Sequence, residues 1–311
     1  MSGGAGAGAG AGAPVPAGRC EMITFGPVPS RRLGRSLGIN PIPGKVCSYG
    51  CSYCQVGRTQ ERRIERRAFH TVAEVVAAVA ARVEACRRAG EQVDWLTFVP
   101  DGEPTLDLNL GEAVRWVGEL GMPVAVITNG SLLGRADVRA ELAGAAWVSV
   151  KVDTVDPVVW RRLNRPHREL ALDTVLEGIR RFAQEYEGTL VSETMLVAGV
   201  NDDEAALRRV AGFLREVGVA RAWLAASIRP PADRRVRVPA PAVLRRAVAL
   251  MVEGMGRASV LFEDESDGFA AAGDPAAELL ATVAVHPLRE AALRRWLERA
   301  GGNWSLVESL V

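Results

Sequence analysis

The chain has 311 residues, of which 48% are hydrophobic and 24% charged, and its net charge at pH 7 is +1. This balance excludes an intrinsically disordered protein and gives no global pull toward nucleic acid or an anionic membrane. Five cysteines, clustered rather than paired, exclude a disulfide framework and suit a reducing cytoplasm. No apolar run approaches the roughly 18–20 residues of a membrane span.

Residues 1–18, MSGGAGAGAGAGAPVPAG, lack the basic start and apolar core of a signal peptide, and residues 1–20 are expected to form a disordered leader. Structure is expected from near Ile23, with a turn-rich stretch over Phe25–Arg35 and a short strand over Ser36–Asn40. Helical periodicity then covers Thr71–Ala89, with Thr71 placed to cap the helix and Gly90 to end it. Further strands are expected at Trp95–Val99, Val124–Ile127, Trp147–Val152, Leu190–Val197 and Ala222–Ala226. Helices are expected at Leu110–Leu120, Ala136–Leu142, Asp173–Tyr186, Asp203–Val217 and Ala240–Met251. Six apolar strands alternating with amphipathic helices predict an α/β fold of right-handed βα units on a parallel sheet. Val260–Glu263 reads as one further strand. The domain reading is a barrel over residues 21–263, followed by an acidic linker and a small helical module over 264–311. That module carries helices at Pro275–Ala281, Leu288–Ala300 and Trp304–Leu310 in a helix–turn–helix-like arrangement. Its Trp296, Leu297, Trp304, Leu306 and Val307 favour packing on the barrel over groove reading.

Chemistry concentrates in Lys45–Gly57, where Cys47, Cys51 and Cys54 are spaced C-x3-C-x2-C. Thiolates are soft ligands for zinc or iron–sulfur clusters, and three are one short of the usual four for a cubane. A structural zinc site would need Cys20, Cys86, His70, His167 or His286 as a fourth ligand, none of them in a paired motif. A redox reading of Cys51 and Cys54 leaves Cys47 unexplained. A cubane cluster with one open iron accounts for all three cysteines. The loops that follow the strands are polar, whereas the returns into them are bland, so functional groups belong at the C-terminal strand ends. They carry Asp101-Gly102-Glu103-Pro104, Thr128-Asn129-Gly130-Ser131 and Val197-Ala-Gly199-Val-Asn201-Asp202. The fourth strand ends in Ser149, Lys151 and Asp153, which share one face.

The C-x3-C-x-aromatic-C pattern, with Tyr53 as the aromatic and a strand before it, resembles the radical SAM superfamily. The resemblance implies a partial TIM barrel, (β/α)6, in which Cys47, Cys51 and Cys54 bind three irons of a 4Fe–4S cluster. It implies that the amino and carboxylate groups of S-adenosylmethionine chelate the fourth iron. One-electron reduction then yields a 5′-deoxyadenosyl radical that abstracts hydrogen from substrate. Asp101-Gly102-Glu103 is similar to the Gly-Gly-Glu stretch that holds the methionyl amino group, with Asp101 where the first Gly is usual. By the same likeness Tyr53, Gly102, Glu103, Asn129, Ser149, Lys151, Asp153 and Asn201 are cofactor-binding residues. Asn129 and Asp153 are suited to sugar hydroxyls and Lys151 to a carboxylate.

The phrases Phe25–Gly38, Lys151-Val-Asp-Thr, Leu163-Asn-Arg-Pro-His167 and Arg229-Pro-Pro-Ala232 resemble a bacterial group related to the wyosine tRNA synthases. Archaeal wyosine synthases bind a second cluster through three upstream cysteines, whereas only Cys20 lies upstream here, so one cluster is expected. An anionic or RNA-derived substrate is expected, a small metabolite or tRNA, with Lys45, Arg165, His167 and Arg229 as substrate contacts. Glu61 and Glu65 alternate with arginines over 58–67, which reads as a solvated charged face. The expected partners are S-adenosylmethionine and an electron donor such as flavodoxin or ferredoxin, in the cytoplasm, with no membrane. The alternatives are wyosine-type modification of tRNA guanosine and, in another class, a non-catalytic zinc- or RNA-binding protein.

Overall fold

The computed structural model describes residues 23–227, 229–261, 274–285, 288 and 290–310. The leader with Cys20, most of the acidic linker and His286 lie outside the described residues.

The chain opens with an antiparallel hairpin, β1 (Thr24–Ser30) paired with β2 (Gly34–Ile39) through a turn at residues 31–33. Beyond β2 it forms a small parallel ribbon, β3 (Val46–Cys47) with β4 (Glu61–Arg62), whose two strands flank the cysteine loop. Helix α1 (Val72–Arg88) starts at Thr71, whose hydroxyl accepts from the Glu74 N–H while the Glu74 carboxylate accepts from the Thr71 N–H. The next units are β5 (Trp95–Phe98), α2 (Leu110–Gly118), β6 (Val124–Thr128), α3 (Ala136–Leu142) and β7 (Trp147–Lys151). Two helices follow β7: α4 (Pro157–Leu163), capped by the Asp156 carboxylate, and α5 (Leu172–Glu185). The alternation closes with β8 (Thr189–Leu196), α6 (Glu204–Val217), β9 (Arg221–Ala226), α7 (Pro241–Met255) and β10 (Ala258–Val260).

The main sheet has eight strands in the order β1-β2-β5-β6-β7-β8-β9-β10, parallel throughout except for β1. It curls into the half-barrel of a partial TIM fold. The six expected strands are all present. The seventh parallel strand, β10, begins two residues before the expected Val260. Strand β1 replaces the expected turn-rich stretch. Pro27 and Pro29 obscure its period in sequence, yet an edge strand tolerates proline because one side needs no N–H donors.

Alternation along the strands divides the molecule into two environments. Val148, Val150 and Val152 pack with the helix residues Leu142, Leu172 and Ile179 in the main core. Residues of the other parity face the concave side of the sheet. Near the strand beginnings that side is filled by Leu33, Ala125, Trp147 and Val191 against Trp95, Ile127 and Trp223. Toward the C-terminal ends it stays open and becomes polar. The tail helices α8 (Pro275–Val285), α9 (Glu290–Arg299) and α10 (Trp304–Ser309) add a second cluster. In it Leu279, Ala292, Trp296 and Leu297 pack on Phe25 and Val28 of β1, so the tail covers the exposed edge of the sheet.

Candidate active site

A cavity of about 380 Å³ opens on the concave side, and Cys47, Cys51 and Cys54 all line it. The loop bearing them is held from two sides by segments far away in sequence. On one side, Gly50 N donates to Asn164 O and Arg165 O (both 3.0 Å), Ser52 N donates to Leu163 O (2.8 Å), and His167 N donates to Ser48 O (2.8 Å). On the other, Ala232 N donates to Cys54 O and Asp233 N to Ser52 O, both at 2.9 Å. Arg165 forms an ion pair with Asp233 and so joins the two supports. Its φ of 46° lies in the left-handed region that residues with a β-carbon rarely adopt, and the bonds to its carbonyl hold it there.

Three side chains each direct an N–H at a different sulfur. Asn129 Nδ2 donates to Cys47 Sγ (3.6 Å), Asn164 Nδ2 to Cys51 Sγ (3.7 Å), and Lys45 Nζ to Cys54 Sγ. Burial, reinforced by nearby acidic groups, pushes the Cys47 and Cys51 thiols up to about 12. Both are therefore protonated at neutral pH, and ligation must displace those protons.

The strand-end loops meet the cysteine loop across the cavity. Gly102 lies so close to Val46 O that a β-carbon would collide with it, which explains the glycine, and Glu103 N donates to the same carbonyl (3.1 Å). The Glu103 carboxylate is buried. One oxygen accepts from Thr105 N (3.1 Å), the Thr105 hydroxyl (2.7 Å) and the Thr128 hydroxyl, and the other accepts from Asn129 N (2.7 Å). Burial still raises its pKa, and these donors offset the rise only in part. Deeper in, Glu193 of β8 takes Lys151 Nζ on one oxygen (2.6 Å) and Arg32 on the other. Burial alone would raise Glu193, but the two cations outweigh it and hold the carboxyl at about 2.

Of the residues singled out in the sequence, Cys47, Cys51, Cys54, Tyr53, Gly102, Glu103, Asn129, Lys151, Lys45 and Arg229 line this cavity. Ser149, Asp153, Asn201, Arg165 and His167 do not. Asp153 instead accepts from Tyr53 OH, Asn164 Nδ2 (2.6 Å) and Met195 N (2.7 Å), which pins the cysteine loop from behind. Asn201 donates to Asp153 O (2.9 Å) and Met195 O (2.8 Å). Ser149 Oγ is buried without a hydrogen-bond partner among the described residues. Arg165 and His167 belong to the support described above, since the cysteine loop lies over their backbone. Sequence reasoning missed the roles of Asn164 and Glu193. Asn164 sits inside the phrase Leu163–His167, but the charged neighbours drew the functional assignment. Of the basic run after the cysteines, Arg66 is turned inward, bonded to Thr105 O (2.9 Å), Asp107 O (2.8 Å) and Glu141.

The donor set suits a cluster better than a single ion. Cys47, Cys51 and Cys54, three soft donors from one loop, line a shared cavity, and each sulfur accepts from a side-chain N–H, of Asn129, Asn164 or Lys45, a donor set that fits a thiolate-bound iron–sulfur core. Cys86, considered as a further ligand, is buried within α1.

Residues 42–210 match the radical SAM superfamily. The chain is 40% identical over 291 residues to the UPF0026 protein MJ1312 of Methanocaldococcus jannaschii, spanning 93% of this chain and 90% of that protein. Its fold is similar to a radical SAM methyltransferase from Sphaerobacter thermophilus, with a TM-score of 0.56, 21% identity, and 73% and 66% of the two chains covered. It is also similar to TYW1 with a lysine–pyruvate adduct bound, with a TM-score of 0.55, 18% identity, and 76% and 79% covered. No described helix is long and apolar enough to cross a membrane. The family match, the relative in Methanocaldococcus and the half-barrel agree: this chain belongs to the radical SAM superfamily, enzymes that use a 4Fe–4S cluster and S-adenosylmethionine.

Proposed function

We propose that this chain is a cytoplasmic radical enzyme with one catalytic cluster, held by Cys47, Cys51 and Cys54, that acts on an anionic substrate. The observation that carries the reading is the meeting of three cysteines from one loop with Glu103, Asn129 and Lys151 from three strand ends, all on one cavity. When bound and reduced, the cluster supplies the electron that cleaves S-adenosylmethionine to a 5′-deoxyadenosyl radical, which abstracts hydrogen from substrate.

The protein's own residues divide the remaining work. Glu103 would take the methionyl ammonium, because its second oxygen accepts only one protein N–H and keeps acceptor capacity. Lys151 and Arg32, fixed by Glu193, offer their remaining N–H donors to a carboxylate or phosphate. Phe25, Val28, Met195 and Leu261 form an apolar wall that keeps water from a reactive intermediate. Five basic side chains on the cavity wall (Arg31, Arg32, Lys45, Lys151 and Arg229) outnumber the acidic Asp101, Glu103 and Glu193, which favours an anionic substrate. Arg165 and His167 are not assigned to it. A flavodoxin or ferredoxin is the class of electron donor this chemistry needs.

Metal analysis after anaerobic purification tests the reading. About four irons and four sulfides per chain are expected for a single cubane cluster. One zinc and no iron would support the non-catalytic alternative. About eight irons would restore the two-cluster wyosine-type chemistry.

A further inference from the structure

The chain contains 38 Lys and Arg residues, yet only two are lysine, Lys45 and Lys151, and both line the cavity. Arginine serves wherever a surface charge is needed, so these two positions call for what a guanidinium lacks. A lysine ammonium is compact and fits where a planar fork does not. The two lysines have different surroundings. Lys151 is neutralised by Glu193 at 2.6 Å. Lys45 is 7% exposed and, among the described residues, has no carboxylate within ion-pair distance; its ammonium donates to Cys54 Sγ.

The backbone fixes this placement. The Lys45 carbonyl accepts from Gln60 N (3.0 Å) and Glu61 N (3.4 Å), which ties the residue to the ribbon just ahead of Cys47. A buried cation without a carboxylate is costly unless another anion compensates it. A thiolate-bound cluster is such an anion. Among the described residues, the other side-chain N–H donors to these sulfurs, Asn129 and Asn164, are neutral amides at the long distances given above, so Lys45 is the charged one.

We propose that Lys45 sets the reduction potential of the cluster by donating its charged N–H to the Cys54 sulfur, an inference that rests on the cluster assignment made above. Reduction adds one electron to the cluster and so makes it more negative. A fixed cation in contact with a ligand sulfur stabilises the reduced form more than the oxidised form, and the potential rises. This matters for function because the physiological donor must be able to deliver that electron.

The test is a redox titration followed by electron paramagnetic resonance on the anaerobically reconstituted full chain, compared with Lys45→Met and Lys45→Gln. Methionine keeps the bulk and removes the N–H, whereas glutamine keeps a neutral N–H. The Lys45→Met midpoint should be more negative by at least a tenfold change in the reduced-to-oxidised ratio, about 59 mV for one electron. Lys45→Gln should fall between it and the wild type, with iron and sulfide content unchanged in both. Coincident midpoints, or a shift to more positive values, would overturn the proposal. Loss of iron from both variants with the fold intact by circular dichroism would also overturn it, by assigning Lys45 to cluster retention. A wild-type protein with no iron–sulfur signal would contradict the cluster assignment itself, a result separate from a wild-type cluster whose potential ignores Lys45.

Discussion

Asn164 ties the cysteine loop to the body of the protein through one amide. Its Nδ2 reaches Cys51 Sγ (3.7 Å), Tyr53 OH (3.2 Å) and Asp153 Oδ2 (2.6 Å), while its backbone carbonyl receives Gly50 N. Outer-shell partners of this kind typically change metal affinity by about 10–100-fold when removed. Asn164→Ala should therefore release iron to a chelator at least about tenfold more readily than the wild type, at unchanged cysteine count. Retention equal to wild type would remove Asn164 from the support of the loop. The cysteine motif was legible because Cys47, Cys51 and Cys54 lie within eight consecutive residues. Asn164 was not, because its partner Cys51 lies 113 residues away and no local pattern marks such a contact. The charge of Arg165 and His167 suggested a substrate contact; the structure adds that their backbone bonds the cysteine loop, which no local pattern marks.

At the scale of elements, Glu193 links three parts of the chain: Lys151 at the end of β7, its own strand β8, and Arg32 in the turn between β1 and β2. Its pKa is depressed to about 2, so the stabilisation it contributes is complete above the ordinary glutamate value of 4.5 and is lost as pH falls through about 2. Acid unfolding followed by circular dichroism should show this loss in the wild type. Glu193→Gln should lack that dependence and be less stable at neutral pH by about 3–5 kcal/mol, because two cations then face each other without their counter-ion. Equal stability of the two proteins at pH 7 would contradict the linkage. The tail gives a second case. Trp296 is 2% exposed and packs with Phe25 and Val28 of β1, which also line the cavity. Trp296→Ala should cost about 3–5 kcal/mol in thermal or denaturant unfolding, and should loosen the cavity wall as well as the tail. The apolar residues of the tail were readable as a packing face. What they pack on was not, because β1 itself was hidden by its prolines.

For the whole molecule, the parallel sheet was legible in sequence because each strand is a short apolar run and each helix has its own periodicity. The sheet's extra strands were less so: β10 is three residues long, and β3 and β4 are two each, too short to carry any period. The half-barrel brings together positions 32, 45, 103, 129, 151 and 193 around the cysteines, a grouping that follows from strand order and the curl of the sheet. The grouping is proposed to make radicals from S-adenosylmethionine. The direct measurement is anaerobic incubation of the reconstituted chain with dithionite and S-adenosylmethionine, with 5′-deoxyadenosine quantified over time. The wild type should form it and Cys54→Ala should not. Formation by neither protein, from a wild type that carries its full complement of iron and sulfide, would contradict the claim.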